Sequence, residues 1–383
     1  MLGRRFHLND GRFHGIEYNP GGLRNIALIL AILSLAISSP AAPVREDFAA
    51  ETIGAVSALQ QWYDPHTGLW QTAGWWNSAN CLEAVECATP LPGGEKFRGV
   101  IQKTFDRNSS HNFLNEYYDD EGWWALAWIH AYDLTKEKQY LVMAKTIFRD
   151  MTNGWDDHCG GGLWWTKERT YKNAIPNELF LTIAIRLHQR TPGDEGADSY
   201  YSWATREWTW FKASGMINAQ NLINDGLTAD CANNGGTTWS YNQGVILGGL
   251  TDLYKITGDT NYLVQAEAIA NAAIKRLGRD GVLAEPREVA GSEGKDVPQF
   301  KGIFIHNLAY LYEADRNPLY FDFISKCAHS VWANDRNNEN QLGLIWAGPF
   351  DSADAVRQSS AIMPLCLMAR LQQLESSPPA KQK

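Results

Sequence analysis

Four tyrosines, Tyr140, Tyr200, Tyr262 and Tyr320, follow one another at intervals of 60, 62 and 58 residues. The clearest copies of the pattern read Tyr132-Asp-Leu-Thr-Lys-Glu-Lys-Gln-Tyr140-Leu-Val-Met-Ala and Tyr254-Lys-Ile-Thr-Gly-Asp-Thr-Asn-Tyr262-Leu-Val-Gln-Ala; weaker copies run from His188 to Trp203 and from Tyr312 to Phe323. A fixed period of this size marks one supersecondary unit used repeatedly. A helix of roughly 15–20 residues fills about a third of such a unit, so each unit holds two. The first helix of each pair begins after an aromatic or glycine-rich loop, near Asp120, Asn173, Asn242, Lys301 and Gln358. These helices are apolar nearly all round, as in Trp123 to Ile129, Leu179 to Leu187, Val245 to Leu253 and Ile303 to Leu311. A helix with no polar face belongs inside. The partners alternate more, which suits an outer layer. The spacing therefore predicts an all-α fold of about twelve helices: six inner and six outer, closed into an (α/α)6 barrel of six helical hairpins. An open solenoid of hairpins is the competing layout. No Pro/Ser-rich linker divides residues 43–375, which are read as one domain followed by a polar tail, 376–383.

Ahead of the repeats, Ile26 to Ile37 is an unbroken run of apolar or small residues, preceded by Arg24 and followed by Ser38-Ser39-Pro40-Ala41-Ala42. It falls short of the about 20 residues needed to span a bilayer and matches the core of a signal peptide within a leader, 1–42. Secretion is expected; an uncleaved membrane anchor is the alternative. Six cysteines, Cys81, Cys87, Cys159, Cys231, Cys327 and Cys366, agree with an oxidising compartment. Their pairing is open, although Cys81 and Cys87 are close enough in sequence for a local loop. Asn108-Ser109-Ser110 is an N-glycosylation sequon, usable if exposed. The C-terminus carries no apolar stretch of the kind a glycolipid anchor requires. A net charge of -9 argues against nucleic acid and anionic lipid, both of which need clustered basic residues, and leaves a neutral or cationic ligand. No membrane contact is expected beyond the leader, and a monomer is the simplest assembly.

If the helices form a barrel, the loops entering the inner helices gather at one pole, and these loops hold the unusual residues. Tyr117-Tyr118-Asp119-Asp120-Glu121-Gly122-Trp123-Trp124 sets three acids among aromatics at a helix start. Helix capping and the helix dipole account for one of them. A pair is what glycosyl transfer needs: one carboxyl to protonate the leaving oxygen, another to attack the anomeric carbon or activate water. Surrounding aromatic bulk keeps one acid protonated. In Cys159-Gly160-Gly161-Gly162-Leu163-Trp164-Trp165, the glycines suit a close ligand approach or a tight turn, and the indoles suit sugar faces. Asn173, Asn177, Asp225, Tyr241, Asn242, Gln243 and Lys301 place further hydrogen-bonding groups at the same mouth, with capping as the competing role. The 16 tryptophans divide accordingly: Trp128, Trp203, Trp208 and Trp332 into packing, and Trp123, Trp124, Trp164, Trp165 and Trp239 to the open pole. No His-x-x-x-His, His-Glu-x-x-His or Cys-x-x-Cys spacing appears, so neither a metal nor another cofactor is expected. A Gly-x-Ser-x-Gly elbow is absent too.

Taken in order, YYDDEGWWALAWI, CGGGLWW, KNAIPNELFL, WSYNQG and FKGIF resemble glycoside hydrolase family 76 and its fungal secreted branch, from about residue 50 to 370. The resemblance implies an (α/α)6 barrel that hydrolyses α-1,6-linked mannan, acting as a mannan endo-1,6-α-mannosidase with retention of configuration. By the same match Asp119 is the nucleophile and Asp120 the general acid/base. It also implies an arginine two residues beyond FKGIF, where this chain has His306, a substrate-contacting position with its cationic contact replaced. The expected partner is therefore α-1,6-linked mannan or a mannooligosaccharide. A cell-wall transglycosidase using the same aspartates and a catalytically inactive mannan-binding protein are the alternatives.

Overall fold

The structure, a computed structural model, describes residues 47–288 and 294–376, together with Gly15. The expected signal-like run at 26–37 and the tail from 377 lie outside the described residues.

The helices that are apolar all round form the inner layer: α2 (Trp75–Ala88), α4 (Tyr118–Thr135), α6 (Ala174–Gln189), α8 (Ser240–Thr257), α10 (Val297–Asp315) and α12 (Ala355–Ser376). In α6 every residue from Ala174 to Leu187 is buried. Each inner helix packs on the next, and α12 packs back on α2, which closes the ring and excludes the open solenoid. The outer layer is α1 (Phe48–Leu59), α3 (Arg98–Asn108), α5 (Lys138–Met151), α7 (Tyr200–Ala213), α9 (Thr260–Leu277) and α11 (Pro318–Asn334). The fold is an all-α (α/α)6 barrel with two small hairpins, Tyr63–Asp64 with Leu69–Trp70 and Gly278–Arg279 with Val282–Leu283.

The 60-residue period has a local cause. Each of the four tyrosines stands in the first turn of an outer helix. Inner helices α4, α8 and α10 end on a left-handed residue, Lys136, Gly258 or Arg316 (φ 63°, 71° and 57°), and the outer helix starts after one more residue. A left-handed C-cap reverses the chain within one turn. Asp259 and Asn317 then cap the outer helices, accepting from Asn261 N at 2.9 Å and Leu319 N at 3.1 Å. Inner-to-outer turns are thus mostly short. The return segments are long, and they all end at the N-termini of inner helices. That asymmetry gives the barrel one pole of functional loops.

Cys87 and Cys366 form a disulfide across the α2–α12 seam, and Cys159–Cys231 joins two return loops. The local Cys81–Cys87 loop does not form. Both lie on α2, where six residues rise about 9 Å, beyond disulfide reach. Cys81 and Cys327 are buried thiols. The sequon falls at the end of α3, where Asn108 Nδ2 donates to the carbonyls of Thr67 (2.9 Å) and Thr104 (3.0 Å). A glycan on that nitrogen would displace at least one of these bonds.

Candidate active site

The loop pole holds a cleft of about 480 Å3 with Asp119 and Asp120 in its wall. Both stand in the first turn of α4, whose N-cap, Tyr117, makes no side-chain capping bond. Neither aspartate is therefore spent as a cap. Asp119 Oδ2 accepts from the Trp165 indole N–H at 3.0 Å, while its Oδ1 is buried without a hydrogen-bond partner. Asp120 Oδ2 accepts from Asn115 Nδ2 at 2.6 Å. Glu121, the third acid, turns away from the cleft into a buried pair with Lys167 Nζ at 2.9 Å. Burial first, and then the Asp120 charge, pushes Asp119 up to about 8. Burial pushes Asp120 up to about 6, against the pull of the Asn115 bond and with a further push from Asp296. Two neighbouring buried carboxyls cannot both ionise freely, so the pair holds one shared proton near neutrality.

Aromatic rings wall the rest. Trp123 stacks on Trp76 (5.6 Å between centroids), Trp76 on Phe300 (6.3 Å) and Phe300 on Tyr241 (3.9 Å). Trp76 Nε1 donates to Asp296 at 3.1 Å, and Tyr171 Oη donates to Asp225 at 2.6 Å. Asn173 lines the cleft beside them; its Oδ1 is buried and unpartnered, and it makes no side-chain cap to α6. Among the described residues, four aspartates line this cleft, and no lysine, arginine or histidine does. Such a surface offers stacking planes and acceptors to hydroxyls and repels anions.

Of the residues singled out in the sequence, Asp119, Asp120, Trp123, Trp165, Asn173, Asp225 and Tyr241 meet in the cleft. The others are elsewhere, each for a visible reason. Trp164 packs in the glycine-rich loop, stacked on His158 at 4.9 Å and donating to Asp156 at 2.7 Å. The glycines of that loop are spent on close packing, and only Trp165 at its end reaches the cleft. A side chain at Gly162 would meet the Trp210 ring at 2.2 Å, and the carbonyls of Gly161 and Gly162 close on Lys172 Nζ at 2.6 and 2.8 Å. Asn177 bonds Leu163 N (2.6 Å) and Leu163 O (3.1 Å), fixing the loop to α6. Gln243 likewise bonds Ile223 N (2.8 Å) and Ile223 O (2.9 Å). Asn242 is buried beside it, with neither side-chain atom partnered. Trp124 is a core ring, stacked on Trp128 at 5.7 Å. Trp239 caps α8 and meets Phe300 edge-on.

Lys301 is fully buried, donating to Leu344 O at 2.6 Å and pairing with Glu288 at 2.9 Å. It ties two return segments to α10. Lys301→Met is expected to cost about 3–5 kcal/mol in chemical denaturation, because Glu288 and a carbonyl lose their partner, with KM for substrate unchanged. A raised KM at unchanged stability would instead make it a sugar contact. His306 lies far along α10 in a second cavity of about 380 Å3, with Glu83, His130 and Arg186. Its Nδ1 faces Glu83 at 3.6 Å, and His130 Nδ1 faces the same carboxyl at 3.1 Å. Burial alone would raise Glu83, but the two imidazoles outweigh it and hold that acid low. His306 stands about two and a half turns past the start of α10 at Val297, which carries its side chain out of the cleft.

The cleft also contains residues beyond those expected there: Trp76, Asn77, Tyr171, Asp296 and Phe300. Trp75-Trp76 opens an inner helix just as Trp123-Trp124 follows an inner-helix start, a signal present in the sequence. Asp296 carried no such signal, standing alone among charged residues.

A family profile described as Glycosyl hydrolase family 76 matches residues 49–383. Among curated proteins, the chain is 31% identical over 206 residues to the Candida albicans protein named mannan endo-1,6-alpha-mannosidase DCW1, covering 49% of this chain and 45% of that one. It is 30% identical over 221 residues to the Saccharomyces cerevisiae protein of the same name, covering 52% of this chain and 48% of that one. The chain thus spans about half the length of these relatives. Among solved structures, the Lin0763 protein of Listeria innocua superposes with a TM-score of 0.77 at 24% identity, covering 88% of this chain and all (100%) of that one. An alpha-1,6-mannanase of Salegentibacter sp. HEL1_6, in an inactive form with two adjacent aspartates replaced and alpha-1,6-mannotetrose bound, superposes with a TM-score of 0.74 at 21% identity, covering 85% of this chain and 100% of that one. These likenesses show the shared fold.

Proposed function

The chain belongs to glycosyl hydrolase family 76, and from that premise we propose that it is a secreted, retaining glycosidase that cleaves internal α-1,6-mannosidic bonds in mannan. The observation that carries the reading is Asp119. It lines an aromatic cleft that has no cation among its described residues, with one oxygen held by Trp165 and the other left to face an anomeric carbon. The bound mannotetrose in the mannanase with two replaced aspartates supports the substrate class. The names of the fungal relatives support it too. Two disulfides support an oxidising compartment. Among the described residues, no helix is long and apolar enough to cross a membrane.

In this mechanism Asp119 Oδ1 attacks the anomeric carbon while protonated Asp120 gives its proton to the departing glycosidic oxygen. A glycosyl-enzyme forms and the shortened chain leaves. Asp120 then takes a proton from water, whose oxygen displaces Asp119 with a second inversion, restoring the original configuration. The stacked rings hold sugar faces, and Asp225 and Asn173 offer hydrogen bonds to hydroxyls. One tension is built in. In the empty cleft Asp119 is pushed up further than Asp120, whereas attack needs Asp119 ionised. The shared proton must pass to Asp120 once a glycosidic oxygen lies against it.

Activity needs one proton on the pair. Accordingly, kcat/KM is expected to trace a bell, falling below about 6 as both carboxyls protonate and above about 8 as both ionise, with limbs belonging to the pair. A flat profile through this range would remove the pair from the rate-determining chemistry. The reading itself is tested by incubation with linear α-1,6-mannooligosaccharides, sizing of products and NMR of the first-formed anomer. Internal cleavage with α-anomer released supports it. Binding without turnover, or a β-anomer, overturns it. Elongated products in the presence of acceptor would mean that a sugar hydroxyl replaces water in the second step.

A further inference from the structure

Asn115 precedes α4 and is held from three sides. Its backbone N–H donates to Glu121 Oε1 at 3.1 Å, its Oδ1 accepts from the Tyr117 N–H at 2.8 Å, and its Nδ2 donates to Asp120 Oδ2 at 2.6 Å. The Tyr117 contact settles which way the amide points. A backbone N–H must be met by the oxygen, so the NH2 group faces Asp120. The supports are fixed in turn. Buried Glu121 is held by Lys167, which also pairs with Asp150 at 2.9 Å, and Tyr117 bridges to Thr166.

We propose that Asn115 is a positioning residue that divides the work of the two Asp120 oxygens, keeping Oδ2 as a permanent acceptor and leaving Oδ1 to carry the proton exchanged with substrate. The proposal rests on the retaining-glycosidase reading. An amide NH2 can only donate, so a proton on Oδ2 would point at another hydrogen; protonated Asp120 therefore carries its proton on Oδ1. In the first half-reaction that proton moves to the glycosidic oxygen as the C–O bond breaks and the Asp119–carbon bond forms. In the second, Oδ1 takes a proton from the attacking water as the Asp119–carbon bond breaks. The Asn115 bond persists through both, so the carboxyl need not turn between acting as acid and as base.

The charges around Asp120 make this donor matter. Asp119 on the same helix, Asp296 ahead of α10 and Asp225 ahead of α8 face the cleft, as do the phenols of Tyr117, Tyr171 and Tyr241. All are acids, and none is a cation. Burial, and after it the Asp296 charge, push the Asp120 proton affinity up, and the Asn115 N–H offsets that push by favouring the ionised form.

The test compares wild type with Asn115→Asp and Asn115→Ala. The Asp variant keeps an oxygen for the Tyr117 N–H and so preserves the turn, but presents an oxygen to Asp120 where the donor stood. Measured are kcat/KM against pH for α-1,6-mannotetraose, kcat/KM for α-mannobiosyl fluoride, and the titration midpoint of the Asp120 carboxyl by 13C NMR in the free protein. Fluoride departs without a proton, and kcat/KM reports only the steps through its departure. For Asn115→Asp the expected results are a loss of about 10²-fold on the oligosaccharide, a much smaller loss on the fluoride, and both the pH optimum and the Asp120 midpoint moved to higher pH. An unmoved midpoint, or equal losses on both substrates with the wild-type pH profile, overturns the role of Asn115. A wild type that turns over neither substrate overturns the glycosidase reading instead, and the carboxyl titration then still decides whether the Asn115 bond sets Asp120.

Discussion

Asp119→Asn is expected to reduce turnover of linear α-1,6-mannooligosaccharides by about 10⁴-fold or more, the scale on which loss of a covalent nucleophile acts. Asp120→Asn is expected to cost about 10²–10⁴-fold, the scale of lost acid/base assistance. Folding should survive both. The two carboxyls are pushed toward their neutral forms by burial and by each other, so a neutral amide of the same shape relieves strain where the charge was disfavoured. Melting temperatures at or above wild type are therefore expected alongside the loss of activity. The two variants also separate by substrate. On α-mannobiosyl fluoride, which needs no proton donor, Asp120→Asn should keep most of its kcat/KM and Asp119→Asn should not. Near-wild-type turnover in either variant on the oligosaccharide would remove that residue from the mechanism. Equal behaviour on the fluoride would remove the division of roles.

The second large effect concerns stability. The Cys87–Cys366 bond joins the first inner helix to the last, across a sequence separation of 279 residues. A barrel closed by the packing of α12 on α2 has no chain connection across that seam, so the bond does there what a loop does elsewhere. Closing so long a loop restricts the unfolded chain strongly, and Cys87→Ala with Cys366→Ala is expected to cost about 3–5 kcal/mol in chemical denaturation. Activity at moderate temperature should be retained, since Cys87 borders the second cavity and neither cysteine lines the cleft. Cys159→Ala with Cys231→Ala should behave in the opposite sense. It releases the return loop that carries Asp225 from the glycine-rich turn, so it is expected to lower activity more than stability. Equal stability losses from the two pairs would mean that the seam has no special dependence on its disulfide.

Several site residues were legible because their chemistry is rare in combination. Two adjacent acids set among aromatics at the start of an apolar helix admit few structural uses, and the cleft indeed contains Asp119, Asp120 and Trp123. The neighbours of such residues were harder to place. Along Tyr241-Asn242-Gln243 the side chains turn by about 100° per residue, so a helix start shows only one of the three to the cleft. That one is Tyr241; Gln243 staples a loop and Asn242 is buried. Composition makes all three look alike as sugar readers. Lys301 and Lys172 look alike for the same reason, and both spend their charge on buried carbonyls and carboxylates. The resemblance sets His306 among the substrate contacts, while five residues of helix beyond Lys301 carry it along the barrel axis into the second cavity.

The sequence by itself determined the repeat, the two layers and the pole at which function lies. Those depend on local facts: which helices lack a polar face, where a short turn reverses the chain, and where long loops return. Tertiary structure alone decided which of the polar residues at that pole share one cavity. It brought Trp76 from the start of α2, Tyr171 from a return loop and Asp296 from far along the chain to the walls around Asp119 and Asp120. It also paired Cys87 with Cys366 across the closing seam. Such meetings follow from the closure of six hairpins into a ring, a long-range event that no window of sequence contains.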